Sequence, residues 1–412
     1  MTEGYDVQAM ALAAPLVAKN WQLSTGTVGW LLTVSIIGLV IGSFALSPLG
    51  DRIGRRPSIV IALAVAGLGT LAGAFAPDQS WLALMRFIAG IGLGLALPNV
   101  IALAMELMPP RLRTLAVVLV SCGYPLGAAL GGAIAGMLIP AHGHSAVFAV
   151  GGIGTLLAMF LCVLVAPESP LYMARQTPRK ASLERLLTRI GASAAWDGAS
   201  AAAPAPTSAA ATGVAALLTP DRRPVTLLLW FINFANMALV YYFVSWLPSL
   251  FVSRGLSSQF AVTAASLFSG SGVIGGLLMA FLLPKLGPAR VLGGAYALTI
   301  GSVLLLSSFS EIGRNFLIVL SFAGAVIVGS QFCLTAVVNQ LYPTAIRVTA
   351  SGYATGMGRL GAIAAPMVGA SILSMAALAE HAFAIAAIPA AAALVAIIAV
   401  QRHTNEVKTP VR

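Results

Sequence analysis

The groups best placed to do chemistry in this chain are ionisable side chains lying inside apolar segments. Glu3-Gly4-Tyr5-Asp6 heads an apolar run that continues through Met10 to Ala18, in a chain with 12 acidic residues among 412. Glu3 and Asp6 are three residues apart and share a helix face. Arg359 stands in a second apolar segment and Arg86 near the start of a third. Charges are costly in a bilayer, and those kept there usually move protons, hold ions or meet charged solutes. A carboxylate so placed can take up and release a proton. A guanidinium can hold a carboxylate through paired, charge-assisted hydrogen bonds.

The composition says what surrounds these groups. Hydrophobic residues make up 59% of the chain and charged residues 8%, against about 25% charged in a soluble domain. With a mean hydropathy of +0.94, the chain is read as a polytopic membrane protein, its lipid partner the bilayer itself. The net charge of +11 would suggest nucleic acid in a soluble protein. Here the basic residues sit in short loops between apolar runs, so no nucleic-acid partner is expected. Cys122, Cys162 and Cys333 fall in apolar runs without a CxxC and read as core residues. His142, His144, His381 and His403 lie in loops or at a span edge. No metal-ligand spacing, phosphate-binding loop or nucleophile elbow is visible. No enzyme, no cofactor and no metal are therefore expected, and an ion gradient is the natural energy source. A basic leader segment is also missing from the start.

A helix crosses a bilayer with about 20 apolar residues. Twelve runs reach that length, with a polar break after the sixth. The expected division is an N-terminal six-helix bundle over 1–166, a linker over 167–224, a C-terminal six-helix bundle over 225–400, and a tail over 401–412. The linker contains the Ala/Pro-rich stretch 201–211, a mobile-connector composition, and a short basic amphipathic pattern over 182–189. Lys and Arg concentrate on one side: Arg52, Arg55, Arg56, Arg111, Arg113, the linker, Lys285, Arg290, Arg347 and the tail. Lys19, Arg254 and Arg314 stand on the other. The heavy side should be cytoplasmic, which places both termini and the linker there, in a cell inner (plasma) membrane.

Depth follows from helix rise. Arg359 is 12 residues past Arg347, about 18 Å into a core about 30 Å thick. Asp6 is 13 residues before Lys19, about 20 Å in by the same rise. Both lie near the midplane. A structural Asp6–Arg359 ion pair is one reading. The other is a proton site at Asp6, with Glu3, and an anion-binding cation at Arg359. Arg86 sits about one turn inside the outer interface, where it either snorkels or lines a pathway. Tyr124, Gln331, Asn339, Asn233, Asn236 and Tyr241 are further polar groups within spans. Each is either a solute contact or an interhelical hydrogen bond.

The two halves align without gaps at an offset of 234 residues: Gly90 with Gly324, Glu106 with Gln340, Pro109 with Pro343, Arg113 with Arg347, Gly127 with Gly361. That pattern describes two six-helix bundles related by a pseudo-twofold axis along the membrane normal, in an all-α chain. Such repeats build secondary transporters. Arg359 breaks the repeat, because Pro125 is its counterpart. Between the second and third spans, Gly50-Asp51-Arg52-Ile53-Gly54-Arg55-Arg56 joins turn-permitting glycines to an acid that can cap a helix or pair with arginine. It is either a plain positive-inside loop or, with Glu106, Arg113 and Arg347, a latch on one conformational state. Gly90 and Gly94 form a small-xxx-small face for close helix contact.

On these residues the chain resembles the major facilitator superfamily. The Gly50–Arg56 loop and the Arg86–Glu106 stretch look like its signatures. Tyr342-Pro343-Thr344-Ala345-Ile346-Arg347, Ser351-Gly352-Tyr353, Gly358-Arg359-Leu360-Gly361-Ala362, Trp246-Leu247-Pro248 and Pro167-Glu168-Ser169-Pro170 resemble its aromatic acid:proton symporters. That family carries an Asp-Gly-x-Asp motif in its first helix, here Glu3-Gly4-Tyr5-Asp6, in a form similar to the 3-(3-hydroxyphenyl)propionate-type members. The resemblance implies a monomeric proton-coupled importer of an aromatic carboxylate. A drug or other organic-anion transporter of the same fold, or a non-transporting membrane sensor, are the alternatives. Family members have about half a helix before this motif, so a shortened first helix, from a mis-assigned start or a truncation, is expected here.

Overall fold

A bilayer offers backbone N–H and C=O groups no water, so each apolar run must satisfy them internally as a helix. The structure, a computed structural model, describes residues 1–46, 49–109, 113–174, 214–309, 311–342 and 344–408, and no strand occurs among them. The linker stretch 201–211 and the 182–189 pattern lie outside the described residues. The long helices are α1 (Thr2–Trp21), α2 (Thr25–Ile41), α3 (Arg55–Gly73), α4 (Gln79–Leu107), α5 (Arg113–Val165), α6 (Arg223–Ser253), α7 (Ser258–Leu286), α8 (Pro288–Ser308), α9 (Arg314–Leu341), α10 (Thr344–Ser374) and α11 (Ala387–Lys408). Gly143 breaks α5 with φ 71 and ψ −168, so that one continuous assignment holds two spans, Leu119–Ile139 and Ala141–Val165.

Among the described residues 11 segments are long and apolar enough to cross a membrane. α1, weighed down by Glu3, Asp6 and Lys19, is not among them, yet it forms a 20-residue helix. Together they make the twelve helices expected. Local signals set several boundaries. Asp78 caps α4 by accepting the Trp81 N–H at 2.8 Å, and Ser257 caps α7 by accepting the Phe260 N–H at 3.2 Å, each satisfying a donor the helix leaves free. Exposed Leu157, Phe160, Leu161 and Leu164 recur at 3 and 4 residues, the stripe of a helix facing lipid.

The chain gathers into two compact units. The first holds Met1–Asp6, Val34–Tyr124 and the described part of His144–Thr207; the second holds Val7–Thr33, Pro125–Gly143 and the described part of Ser208–Arg412. Within the first, α2 and α4 touch backbone to backbone. A β-carbon on Gly38 or Gly42 would overlap the carbonyls of Phe87 or Ile91, and one on Gly90 or Gly94 would overlap those of Ser35 or Leu39. The small-xxx-small face read from the sequence is thus one side of a reciprocal seam. Within the second unit the repeat returns: Gly324 of α9, the counterpart of Gly90, meets the carbonyl of Phe268 on α7 in the same way. Gly361 of α10 meets the carbonyl of Phe234 on α6. An aromatic cluster of Phe243, Phe251, Phe268, Phe316 and Phe383 fills one end of that unit, with neighbouring ring centroids 5.2–6.5 Å apart.

Candidate functional site

The seam between α2 and α4 delivers side chains to the acid of α1. Asp6 is 3% exposed, and its Oδ1 forms an ion pair with Arg86 Nη1. The same oxygen accepts from Thr70 Oγ1 of α3 at 3.1 Å. Oδ2 accepts from Ser35 Oγ of α2 at 3.4 Å. Four helices therefore converge on one carboxylate. The motif is held in place by its own tyrosine. Tyr5 donates its hydroxyl to the Val147 carbonyl at 2.8 Å, and Gly151 leaves room for its ring, since a β-carbon there would overlap it. Glu3 is half-buried and is not among the groups described on the Asp6 carboxylate.

Arg86 is 1% exposed, its guanidinium carbon 6.0 Å from the centroid of the Phe148 ring. Its Nε, fully enclosed, has no hydrogen-bond partner among the described residues. Of the two readings of a residue one turn inside the interface, snorkelling does not occur. A buried acid draws Arg86 inward, because a pair in low dielectric is far less costly than either charge alone. The cation that meets Asp6 is thus Arg86. Among the described residues no carboxylate lies within ion-pair distance of Arg359.

Arg359 belongs to the second unit and is half-buried. On α10 the buried positions Ala354, Gly358, Ala362 and Ala365 form the packed face. Away from it, exposed Gly352 and Thr355 share a face with Arg359, while exposed Tyr353, Leu360 and Met367 form an apolar stripe. Arg359 is thus half-buried on the side of α10 where Gly352 and Thr355 are exposed. On α9, Gln331 accepts from Asn236 Nδ2 at 2.9 Å, and exposed Thr335 follows one turn later. Asn233 donates to the Leu229 carbonyl of its own helix at 2.9 Å, and so reads as a structural polar residue. Tyr124 lies at the edge of the first unit on α5. The side chains of Asn339, Arg113 and Arg347 lie outside the described residues.

A second cluster gathers at the end of the first unit that carries Gly50–Arg56. Arg55 is its centre. Its Nη2 meets Asp51 Oδ1 at 2.6 Å, its Nε meets Glu106 Oε1 at 3.4 Å and its Nη1 meets Asn99 Oδ1 at 3.3 Å. Ser169 Oγ donates to the other oxygen of Glu106. Gly54, at φ 107, precedes α3 and offers no side-chain cap. Glu168 supplies one from a distant segment: its Oε1 accepts the backbone N–H of Arg55 at 2.9 Å and of Arg56 at 3.1 Å. A carboxylate at a helix N-terminus satisfies free donors and meets the positive end of the dipole. A side chain on Gly54 would collide with Glu168. Arg52 contributes its carbonyl, which accepts from the Tyr172 hydroxyl at 3.3 Å. Arg56 donates to the Val163 carbonyl. The plain-loop reading of these arginines does not describe this network. Glu168 and Asn99 were missed as members of it. The Pro-Glu-Ser-Pro run was the available signal for the first, and the second lay inside the Arg86–Glu106 stretch without a role of its own.

The sequence profile of the Major Facilitator Superfamily matches residues 1–366. The chain belongs to the Major Facilitator Superfamily. Among curated relatives it is 32% identical to a gallate transporter of Pseudomonas putida over 96% of this chain and 88% of that one. It is 32% identical to the 4-hydroxybenzoate transporter PcaK of Acinetobacter baylyi, over 96% and 87%. It is also 32% identical to the 3-(3-hydroxy-phenyl)propionate transporter of Escherichia coli, over 91% and 85%. The fold is similar to that of the xylose transporter XylE from E. coli, in a structure described as its inward open conformation, with a TM-score of 0.74 at 19% identity over 97% of this chain and 93% of that one. This member of the superfamily is a multi-pass membrane transporter, not an enzyme. Its resemblance to the aromatic acid branch, read from the first-helix motif and the α10 residues, agrees with these relatives.

Proposed function

We propose that this transporter imports a hydroxylated aromatic carboxylate together with protons across the cell inner membrane, working as a monomer with both termini cytoplasmic. The observation that carries the reading is the buried Asp6–Arg86 pair with its two hydroxyl donors. Protonating Asp6 removes one half of a compensated pair and leaves Arg86 an uncompensated cation, a costly state inside a protein. A carboxylate arriving at Arg359 returns the net charge of the three groups to its value before protonation. Proton and anion are thereby linked by electrostatics alone. Arg359, half-buried on α10, takes the substrate carboxylate, and Tyr124, Gln331 and Asn339 contribute polar contacts. Gallate and 4-hydroxybenzoate, named for two of the relatives, both carry a ring carboxylate and a ring hydroxyl.

An inside-negative potential opposes anion entry by about 2.3 kcal/mol per charge per 100 mV. One proton per anion cancels that term, and a second lets the potential drive uptake. The Arg55 cluster acts as the cytoplasmic latch, holding α3, α4 and the segment after α5 together until substrate and proton are bound. The test is uptake of radiolabelled 4-hydroxybenzoate into proteoliposomes with an acidic exterior. Accumulation that a protonophore abolishes supports the reading. Uptake indifferent to the pH gradient removes the proton, and extrusion of a cationic drug in exchange for protons in place of acid uptake overturns it.

A further inference from the structure

We propose that Tyr296 and Asn236 lock the amide of Gln331 with its NH2 outward, making Gln331 a specificity-determining residue for an acceptor oxygen on the substrate ring. The inference rests on the aromatic-acid reading above and deepens it. Tyr296 on α8 is 1% exposed and Asn236 on α6 is 0% exposed. The hydrogen bond described for the Tyr296 hydroxyl runs to Asn236 Oδ1 at 3.3 Å. Asn236 Nδ2 in turn donates to Gln331 Oε1 at 2.9 Å.

The direction of this chain is fixed by its buried end. A phenol has one proton to donate, and amide orientations follow from the network around them. If Asn236 flipped, its NH2 would face the phenol oxygen, and the phenol proton would be left without the acceptor it now uses. Burial makes that costly. Asn236 must therefore present Nδ2 to Gln331, and Gln331 must present Oε1 to Asn236. What remains of Gln331, on a half-buried side chain, is Nε2. It offers two N–H donors, and no partner for them occurs among the described residues. The backbone carbonyl of Gln331 is itself engaged by the Thr335 hydroxyl at 3.5 Å, so the group at this position without a partner among the described residues is a donor. With the carboxylate on Arg359, the group left for Gln331 to meet is a ring substituent.

A donor site accepts a hydroxyl or methoxy oxygen and disfavours an aromatic amine, whose nitrogen lone pair is delocalised into the ring. The test is competition for radiolabelled acid uptake by the full-length protein in proteoliposomes, using benzoate and its 3- and 4-hydroxy, methoxy and amino derivatives. The wild type should take the oxygen-bearing acids with apparent KM about tenfold below their amino isomers, the loss of one hydrogen bond. Tyr296→Phe frees both amides to turn and should bring that ratio towards one, with benzoate uptake kept. Gln331→Glu offers an acceptor instead and should turn the preference from the methoxy to the amino derivatives, while the hydroxy acids, which donate as well as accept, keep theirs. An unchanged ratio in Tyr296→Phe overturns the proposal, as does a Gln331→Glu protein that weakens benzoate and its derivatives equally. Gln331 is half-buried, so that second variant stands even where the buried one fails to fold. A wild type that takes up no aromatic acid, benzoate included, overturns the underlying reading and this proposal with it.

Discussion

Gly90 of α4 lies against the backbone carbonyl of Ser35 of α2, with no room between them for a β-carbon. The hydroxyl of that same Ser35 donates to Asp6, and Arg86, one turn before Gly90, pairs with it. Close packing of two helices is thus the condition for assembling the charged site.

Gly90→Ala should part α2 and α4 and loosen the site at once. Overpacking of this kind costs about 1–3 kcal/mol. A fitting control is Gly73→Ala, where a β-carbon would meet Leu82 at 3.5 Å, an ordinary contact. Thermal unfolding of the detergent-solubilised proteins should show a clear loss for Gly90→Ala and little change for Gly73→Ala. Equal melting points would contradict a tight seam.

Asp6→Asn should abolish proton-driven accumulation and destabilise the protein, because it strands Arg86 at 1% exposure. Removing one partner of a buried pair costs about 3–5 kcal/mol. Asp6→Asn combined with Arg86→Gln should recover much of that stability, while coupling stays lost. Melting curves and pH-gradient uptake on the single and double variants separate the two effects. A double variant no more stable than the single one would argue that the pair is not the energetic unit.

Much of this was legible in the sequence, for reasons that differ by element. The twelve helices follow from hydropathy and length, and Gly90-xxx-Gly94 announced a close contact through small residues at one-turn spacing. Counting along one helix expects Asp6 deep inside its span, and the side chain is 3% exposed. Its partner does not follow from counting. Counting gives height in the membrane and says nothing of which helices touch, so Arg359, at matching depth, was a natural candidate, whereas Arg86 looked shallow enough to snorkel. Tertiary packing of α1, α2, α3 and α4 decided the matter. Glu168 was hidden for a related reason. It caps α3 from 113 residues away at Arg55, and a cap supplied from a distant segment leaves no local spacing to read. Gly54 with no capping side chain before α3 and the Pro-Glu-Ser-Pro run were its only traces.

In the Arg55 cluster the two acids should differ in weight. The Asp51 side chain is 57% exposed and that of Glu106 is 13% exposed. Water and salt screen the first, so that pair is worth about 0–1 kcal/mol even at its shorter distance. Glu106→Gln should therefore disturb transport more than Asp51→Asn, and Arg55→Gln should disturb it most, because it removes the bonds to Asp51, Glu106 and Asn99 together. Initial uptake rates at saturating substrate, with surface expression measured alongside, provide the comparison. Raising ionic strength should mimic Asp51→Asn and leave the Glu106 effect standing. Asp51→Asn as damaging as Glu106→Gln would place the latch at the exposed pair.

Arg359 offers the sharpest separation between binding and coupling. It is half-buried beside exposed Gly352 and Thr355, and the structure gives it no ionic partner among the described residues. In the proposed reading this guanidinium meets an anion that arrives from outside the chain. A hydrogen bond to a charged group contributes about 1.5–3 kcal/mol, which is roughly tenfold to a hundredfold in affinity. Arg359→Ala should accordingly raise KM for the aromatic acid by about that factor. Arg359→Lys should recover part of it, since lysine keeps the charge and loses the two-pronged geometry. Melting temperature should hardly move in either case, in contrast to Asp6→Asn, because no structural partner is stranded. Binding assays at equilibrium settle the question apart from turnover. Unchanged affinity in Arg359→Ala would transfer the carboxylate to Arg86 and make the proton site and the anion site one.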